Sequence, residues 1–283
     1  MATGALLSKL SMSTSTEITR KAKSNLALAF VCLPKDRKRD MITFYAFCRI
    51  IDDLVDDLDI PINERVASLN NWRNGLEKGF AEPDELQTEI ISLIERYNIS
   101  KQPFFDIIDG CASDLHPQRF NTWEDLQKYT YCVASCVGII STRIFGCTHP
   151  DSEKYAITLG HALQLTNILR DVDEDLTNGG RIYLPLDDLI RFQYSEQDLL
   201  DRVYDERFTA MMAYQAERAD KLYAEAIALT PSNDAKALKA AEAMRKIYQG
   251  MLKKMRNDHF QVFSQRYSLS KPKKIAILLS TIF

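Results

Sequence analysis

Ten glycines and nine prolines across 283 residues leave the chain little of the punctuation that turns demand, and what there is falls between long periodic segments. That scarcity argues against a β-rich fold, and no alternating strand pattern with hairpin turns is found. Long hydrophobic runs are also missing. No stretch approaches the ~18 apolar residues of a membrane-spanning helix, and the nine residues after Lys274 in "KPKKIAILLSTIF" are too few. The six cysteines, Cys32, Cys48, Cys111, Cys132, Cys136 and Cys147, include no C-x-x-C pair, so they read as reduced core thiols with no zinc or disulfide role. A net charge of −3 with Lys and Arg dispersed among acids gives no footprint for nucleic acid. The N-terminus has a Lys inside its only apolar patch and lacks the apolar core of a signal peptide. Residues 1–16 read as a disordered leader, and the expected location is cytoplasmic.

What remains is a chain that is 46% hydrophobic, enough for one sizeable core, and helical in pattern nearly throughout. Ser15 or Thr16 would cap a first helix running to Leu33, before Pro34. Further helices are expected over 36–58, 62–79, 84–97, 102–114, 122–145, 151–177, 195–229 and 233–264, with "TNGGRIYLP" a clear loop. No repeat or linker divides the chain, so a single all-α domain over 17–283 is expected.

Two acidic stretches stand out against this apolar background. In "FYAFCRIIDDLVDD", Tyr45, Arg49, Asp52 and Asp56 fall within about 60° on a helix, while Phe47, Leu54 and Leu58 occupy the far side. In "QLTNILRDVDED", Gln164, Asn167, Asp171 and Asp175 repeat the arrangement within about 80°, on a helix that is apolar around much of its remaining circumference. A polar stripe on a central helix must face a cavity or an ion. Carboxylates crowded there repel one another, which argues for divalent cations between them. Oxygen ligands without His or Cys point to Mg²⁺, which favours one or two carboxylates plus phosphate oxygens, and so to a phosphorylated substrate. Arg49 would add a direct phosphate contact. Asp53, Asp57, Asp173 and Glu174 read as solvated.

With "DDLVD" at 52–56, "DVDED" at 171–175, and "FYAFCRIIDD", "QLTNILRD" and "GGRIYLP" around them, the chain resembles the squalene and phytoene synthase family from about Lys21 to Lys274. The resemblance implies a single-domain α-helical isoprenoid synthase fold with a central cavity. Asp52, Asp56, Asn167, Asp171 and Asp175 would hold Mg²⁺, and Arg49 would meet diphosphate. Tyr45, Tyr131 and Tyr248 match cavity tyrosines, Gln164 joins the substrate site, and Arg266 matches a diphosphate-facing arginine. Arg181, in the loop after the second motif, would belong to a lid. The family's N-terminal Ser-x-Ser-Phe segment is altered to "KSNLALAF", which leaves Ser24 and Asn25 without a matched role.

The implied activity is head-to-head joining of two farnesyl diphosphates to presqualene diphosphate, with squalene as a further product that alone would require NADPH. "YSLSKPKK" resembles the tail of bacterial presqualene diphosphate synthases of hopanoid pathways. "DHFQVFSQR" resembles phytoene synthases, which join two geranylgeranyl diphosphates, and the two readings stay open. Head-to-tail elongation or terpene cyclisation is disfavoured because the second motif lacks N-x-x-x-[ST]-x-x-x-E, and a non-catalytic assembly role because all four aspartates are present. Leu26, Phe30, Phe44, Phe47, Val133 and Val137 are expected to wall the cavity against water. The tail "KPKKIAILLSTIF" offers either a peripheral membrane contact or a packed final helix. Oligomeric state is not encoded legibly.

Overall fold

Prolines set where many helices begin. In the computed structural model, which describes residues 15–21 and 28–282, Pro34, Pro61, Pro150 and Pro185 each stand immediately before a helix. A proline lacks the N–H that a helix interior would need, but the first turn leaves that N–H unpaired in any case. Side chains start several of the others. Asp84 accepts from Gln87 N–H in a reciprocal capping box, Thr122 accepts from Asp125 N–H, and Asp205 from Arg207 and Phe208 N–H.

The elements are α1 (Ser15–Lys21), a 3₁₀ turn (Phe30–Cys32), α2 (Lys35–Asp56), α3 (Ile62–Lys78), α4 (Glu85–Tyr97), α5 (Gln102–Ser113) and α6 (Trp123–Thr130). A π-turn (Tyr131–Ser135) joins α6 to α7 (Cys136–Phe145). There follow α8 (Asp151–Arg170), α9 (Val172–Thr177), α10 (Leu186–Arg191), α11 (Glu196–Leu200), α12 (Glu206–Ala228), α13 (Lys239–Asn257) and α14 (Lys271–Ile282). The described residues contain no strand. The fold class is therefore all-α, as the pattern predicts.

The central helix is α8. It packs most extensively on α12 and also meets the π-turn, α7 and α13, and buried residues lie around most of its circumference. Its approach to the π-turn depends on Gly160, where a Cβ would sit 2.6 Å from Ser135 Cα. Two side-chain bonds fasten the crossing: Thr130 Oγ1 and His161 Nδ1 are 2.7 Å apart, and Ser135 Oγ donates to the Ile157 carbonyl at 2.8 Å. Burial holds His161 neutral by pushing it down to about 4.

Several boundaries differ from expectation. α2 ends at Asp56, and Leu58 lies beyond it, largely exposed. The helix expected over 151–177 breaks at Asp171 (φ −103°, ψ 15°) before α9 begins. The helix expected over 195–229 is α11 and α12, separated by a turn in which Arg202 takes φ +56°. α13 stops at Asn257, where His259 and Phe260 adopt positive φ. α10 and α14 were not separated out by periodicity, being short or amphipathic at the end of a loop. Residues 1–14 of the expected leader, and Ser24, Asn25 and Leu26, lie outside the described residues.

Candidate active site

The C-terminal half of α2 and the C-terminal end of α8 bring both acidic stripes to one cavity of about 350 Å³. Tyr45, Arg49, Asp52 and Asp56 line it from α2; Gln164, Asn167 and Asp171 line it from α8 and its end, and Asp175 from α9. Ile107, Val133, Val137 and Ile168 supply apolar wall between the charged rows. The loop after α9 closes the far side. Gly179 and Gly180, at φ +85° and +70°, turn the chain so that Arg181 N–H returns to the Asp175 carbonyl at 3.0 Å. The Arg181 side chain then bonds Asp56 Oδ1 at 2.8 Å, tying the second motif's loop to the first motif.

The carboxylates differ in how they are balanced. Arg49 pairs with Asp52 at 2.7 Å and also with Asp53. Arg170 Nε donates to Asp171 Oδ1 at 2.8 Å. Desolvation, opposed in part by Arg49, raises Asp52 to about 6; its accessible surface faces the cavity. Desolvation and the neighbouring Asp171 push Asp175 up to about 8. Arg266 reaches Asp171 at 3.5 Å and Glu174 at 3.0 Å from the segment after α13.

Three residues that the sequence did not single out belong to this wall. Asp114, just past α5, accepts from the Tyr129 hydroxyl at 2.6 Å, and Tyr129 stacks on Tyr183 with ring centroids 5.2 Å apart. All three line the cavity. Tyr131 does not line it, which corrects the expectation. It lies beside Asp106 and Cys136, and Tyr129, two residues earlier, occupies the wall instead. Residues two apart on a helix point about 200° from each other. The signal was present, because Tyr129, Val133 and Val137 are spaced four apart and all three reach the cavity.

Tyr248 is likewise outside the lining; it is half-buried beside the Arg170 guanidinium. Phe44 and Phe47 face away, into an aromatic cluster with Phe104 and Trp72. Phe30 lies in a separate apolar slot, described below. Asp53 and Asp173 are solvated, Asp173 at 2.5 Å from Arg202.

The donor set fits a hard divalent cation. Asn167 Oδ1 and Asp114 Oδ1 are buried acceptors with no hydrogen-bond donor, and five aspartates share the cavity. Cys48 and Cys111 also line it, but burial raises both thiols far above their usual range, and protonated thiols are poor ligands. Among the described residues no three of His, Cys, Asp and Glu converge on one point. Mg²⁺ rarely occupies an all-protein cage and takes phosphate oxygens beside one or two carboxylates.

The apolar slot, about 80 Å³, adjoins the cavity, and Val137 lines both. It follows the crossing of small residues, Ala134 and Gly138 against Ala156 and Gly160, and is closed by Phe30, Phe145 and Met244.

The model of the squalene/phytoene synthase family matches residues 19–273. The chain belongs to the squalene/phytoene synthase family. A 15-cis-phytoene synthase of Synechocystis is 34% identical, covering 93% of this chain and 81% of its own. A presqualene diphosphate synthase of Rhodopseudomonas palustris is 35% identical, covering 90% and 92% respectively. Among solved structures, a dehydrosqualene synthase in complex with ligand superimposes with a TM-score of 0.83 at 28% identity, over 94% of this chain and 93% of its own. The family is one of prenyltransferases that join prenyl units head to head, and this chain is such an enzyme with an isoprenoid synthase fold.

Proposed function

We propose that this prenyltransferase condenses two farnesyl diphosphates to presqualene diphosphate in a Mg²⁺-dependent reaction. The observation that carries the reading is the pairing of two acidic rows on one cavity with an apolar slot adjoining it at Val137. Asp52, Asp56, Asn167, Asp171 and Asp175 would hold Mg²⁺, which when bound neutralises diphosphate and makes it a better leaving group. Arg49, Arg181 and Arg266 add positive charge around the same space. Gln164 hydrogen-bonds Asn167 at 3.3 Å and orients its amide.

Loss of diphosphate from an allylic carbon generates a carbocation that water would quench. Ile107, Val133, Val137 and Ile168 exclude water, and the ring faces of Tyr45 and Tyr129 offer cation–π attraction. The departing diphosphate accepts the proton lost on cyclopropane closure, so no separate side-chain base is required.

The match with a presqualene diphosphate synthase over nine-tenths of both chains supports the C15 substrate. A second reading, phytoene synthesis from two geranylgeranyl diphosphates, is favoured by the cyanobacterial phytoene synthases among the relatives. Mass spectrometry of the lipids formed from each prenyl diphosphate with Mg²⁺ separates them. Farnesyl diphosphate alone should yield a C30 product. Reaction with geranylgeranyl diphosphate only would replace this reading with the phytoene one, and a requirement for isopentenyl diphosphate would overturn both.

A further inference from the structure

The head-to-head joining of two prenyl chains yields a lipid whose long hydrocarbon part water does not dissolve, so the apolar slot needs an exit into an apolar phase. Ala29, at the 3₁₀ turn, and Met244, on α13, both line the slot. These same two residues, with Ala243, form the small cluster that receives Leu278 of α14. α14 thus packs on two residues that line the slot. Leu278 is its one fully buried side chain, and its polar ties to α13 are Lys239 Nζ to the Ile282 carbonyl at 2.6 Å and Lys246 Nζ to Thr281 Oγ1 at 3.1 Å.

The outward face of α14 is apolar. At 100° per residue, Ile275, Leu279, Pro272 and Ala276 span about 100° of circumference, and all four are exposed, Ile275 and Leu279 by about half. Lys271 and Lys273, both exposed, flank that strip on its two sides. The 3₁₀ turn that packs on α14 adds Val31, 47% exposed. Charge singles out the same segment. Residues 259–282 carry Arg266, Lys271, Lys273 and Lys274 and no acid, in a chain whose net charge is −3.

We propose that α14 and the adjoining 3₁₀ turn dock the protein on an anionic bilayer and that the lipid product leaves the slot beneath α14 into that bilayer. An apolar strip edged by lysines is the pattern of a helix lying in the interface, where side chains such as Ile275 and Leu279 enter the acyl boundary and lysines meet headgroup phosphates. A second copy of the chain would bury the strip equally well, but two such faces would bring their lysines together. The docking half of the proposal stands on the surface alone, and the exit half rests on the prenyl-joining reaction.

Flotation of the full-length protein with vesicles of phosphatidylglycerol and phosphatidylcholine, against phosphatidylcholine alone, tests the docking without substrate. Wild-type protein should float with the anionic vesicles and release in high salt. Lys271→Glu/Lys273→Glu and Ile275→Ser/Leu279→Ser should each lower partitioning by at least about tenfold, with unchanged melting temperature and unchanged turnover in detergent micelles. Should either pair disturb folding, Lys271→Gln/Lys273→Gln, which alters only exposed side chains, carries the test. Anionic vesicles should also raise steady-state turnover of the wild type and not of the variants. No binding by the wild type, or equal binding by the variants, overturns the docking. A vesicle-free dimer that Ile275→Ser/Leu279→Ser dissolves to monomers assigns the strip to a second copy and overturns it too. Vesicle binding without any stimulation of turnover overturns the exit route.

Discussion

The two acidic rows each set a pair of aspartates four residues apart behind two other polar residues, yet the structure balances them differently. The row on α2 runs along one unbroken helix whose own Arg49 pairs with Asp52 and Asp53, and Arg181 comes across the cavity to Asp56. The second row straddles a helix break at Asp171. Asp171 is only 15% accessible and is matched by Arg170, whereas Asp175, one turn on, has no ion pair among the described residues and is pushed up to about 8. The first row comes with its counter-charge supplied by the chain. The second leaves one carboxyl that burial and like charge keep largely protonated at neutral pH, in the same cavity that carries the orphaned Asn167 Oδ1 four residues before Asp171.

The largest effects should come from breaking either row at its first aspartate. Asp52→Asn and Asp171→Asn should each lower turnover by two or more orders of magnitude, about 2.7 kcal/mol of transition-state stabilisation. Asp173→Asn should leave turnover within about twofold, since Asp173 faces outward to Arg202. Equal losses at all three positions would mean that the cavity does not hold the reacting groups.

A smaller effect separates two neighbouring tyrosines. Tyr129→Phe removes the hydroxyl that satisfies Asp114 Oδ2, in a carboxyl whose other oxygen is already unpaired. Leaving a buried carboxylate less satisfied costs ~1–3 kcal/mol, so steady-state turnover should fall about tenfold or more. Tyr131→Phe should be nearly silent, because Tyr131 lies outside the cavity.

That contrast also marks where the sequence stops being legible. The helical class and both acidic stripes could be read directly, because apolar residues at helical spacing and aspartates in register with Arg, Gln or Asn leave a periodic trace. The placing of Tyr131 and Asp114 is not legible in this way, because each depends on facts without local periodicity. Tyr129 turns into the cavity where Tyr131 turns to Asp106 and Cys136, and Asp114 reaches the wall from the end of α5, with no neighbour in its own stretch to announce it. Phe44 and Phe47 illustrate the same limit: an apolar helix face can wall a cavity or fill a core, and here Trp72 and Phe104 draw it into the core. The packing of α14 beside the exposed strip answers neither of its two expected roles by exclusion, since one face packs while the other stays free.

A separate prediction concerns stability rather than turnover. An unfolded aspartate titrates near 3.9, whereas Asp175 titrates at about 8 in the folded chain, so between those values the folded state binds the extra proton. Its burden is absent below the lower value and grows as pH rises toward the upper. Metal-free Asp175→Asn should therefore melt close to wild type at pH 4 and above it at pH 8. Asp52→Asn should show the same sign with a smaller gap, because Asp52 reaches only about 6. A gap that shrinks with rising pH would contradict the assignment of burial and like charge at Asp175.

The central claim is that the two rows hold divalent cations together with diphosphate rather than as ready-made metal cages. Titration of Mn²⁺ into the protein, followed by electron paramagnetic resonance with and without inorganic diphosphate, tests it most directly. The account predicts weak binding to the protein alone, at least about tenfold tighter binding with diphosphate present, and loss of that gain in both Asp52→Asn and Asp171→Asn. Tight binding without diphosphate, or a gain that survives either substitution, would contradict it.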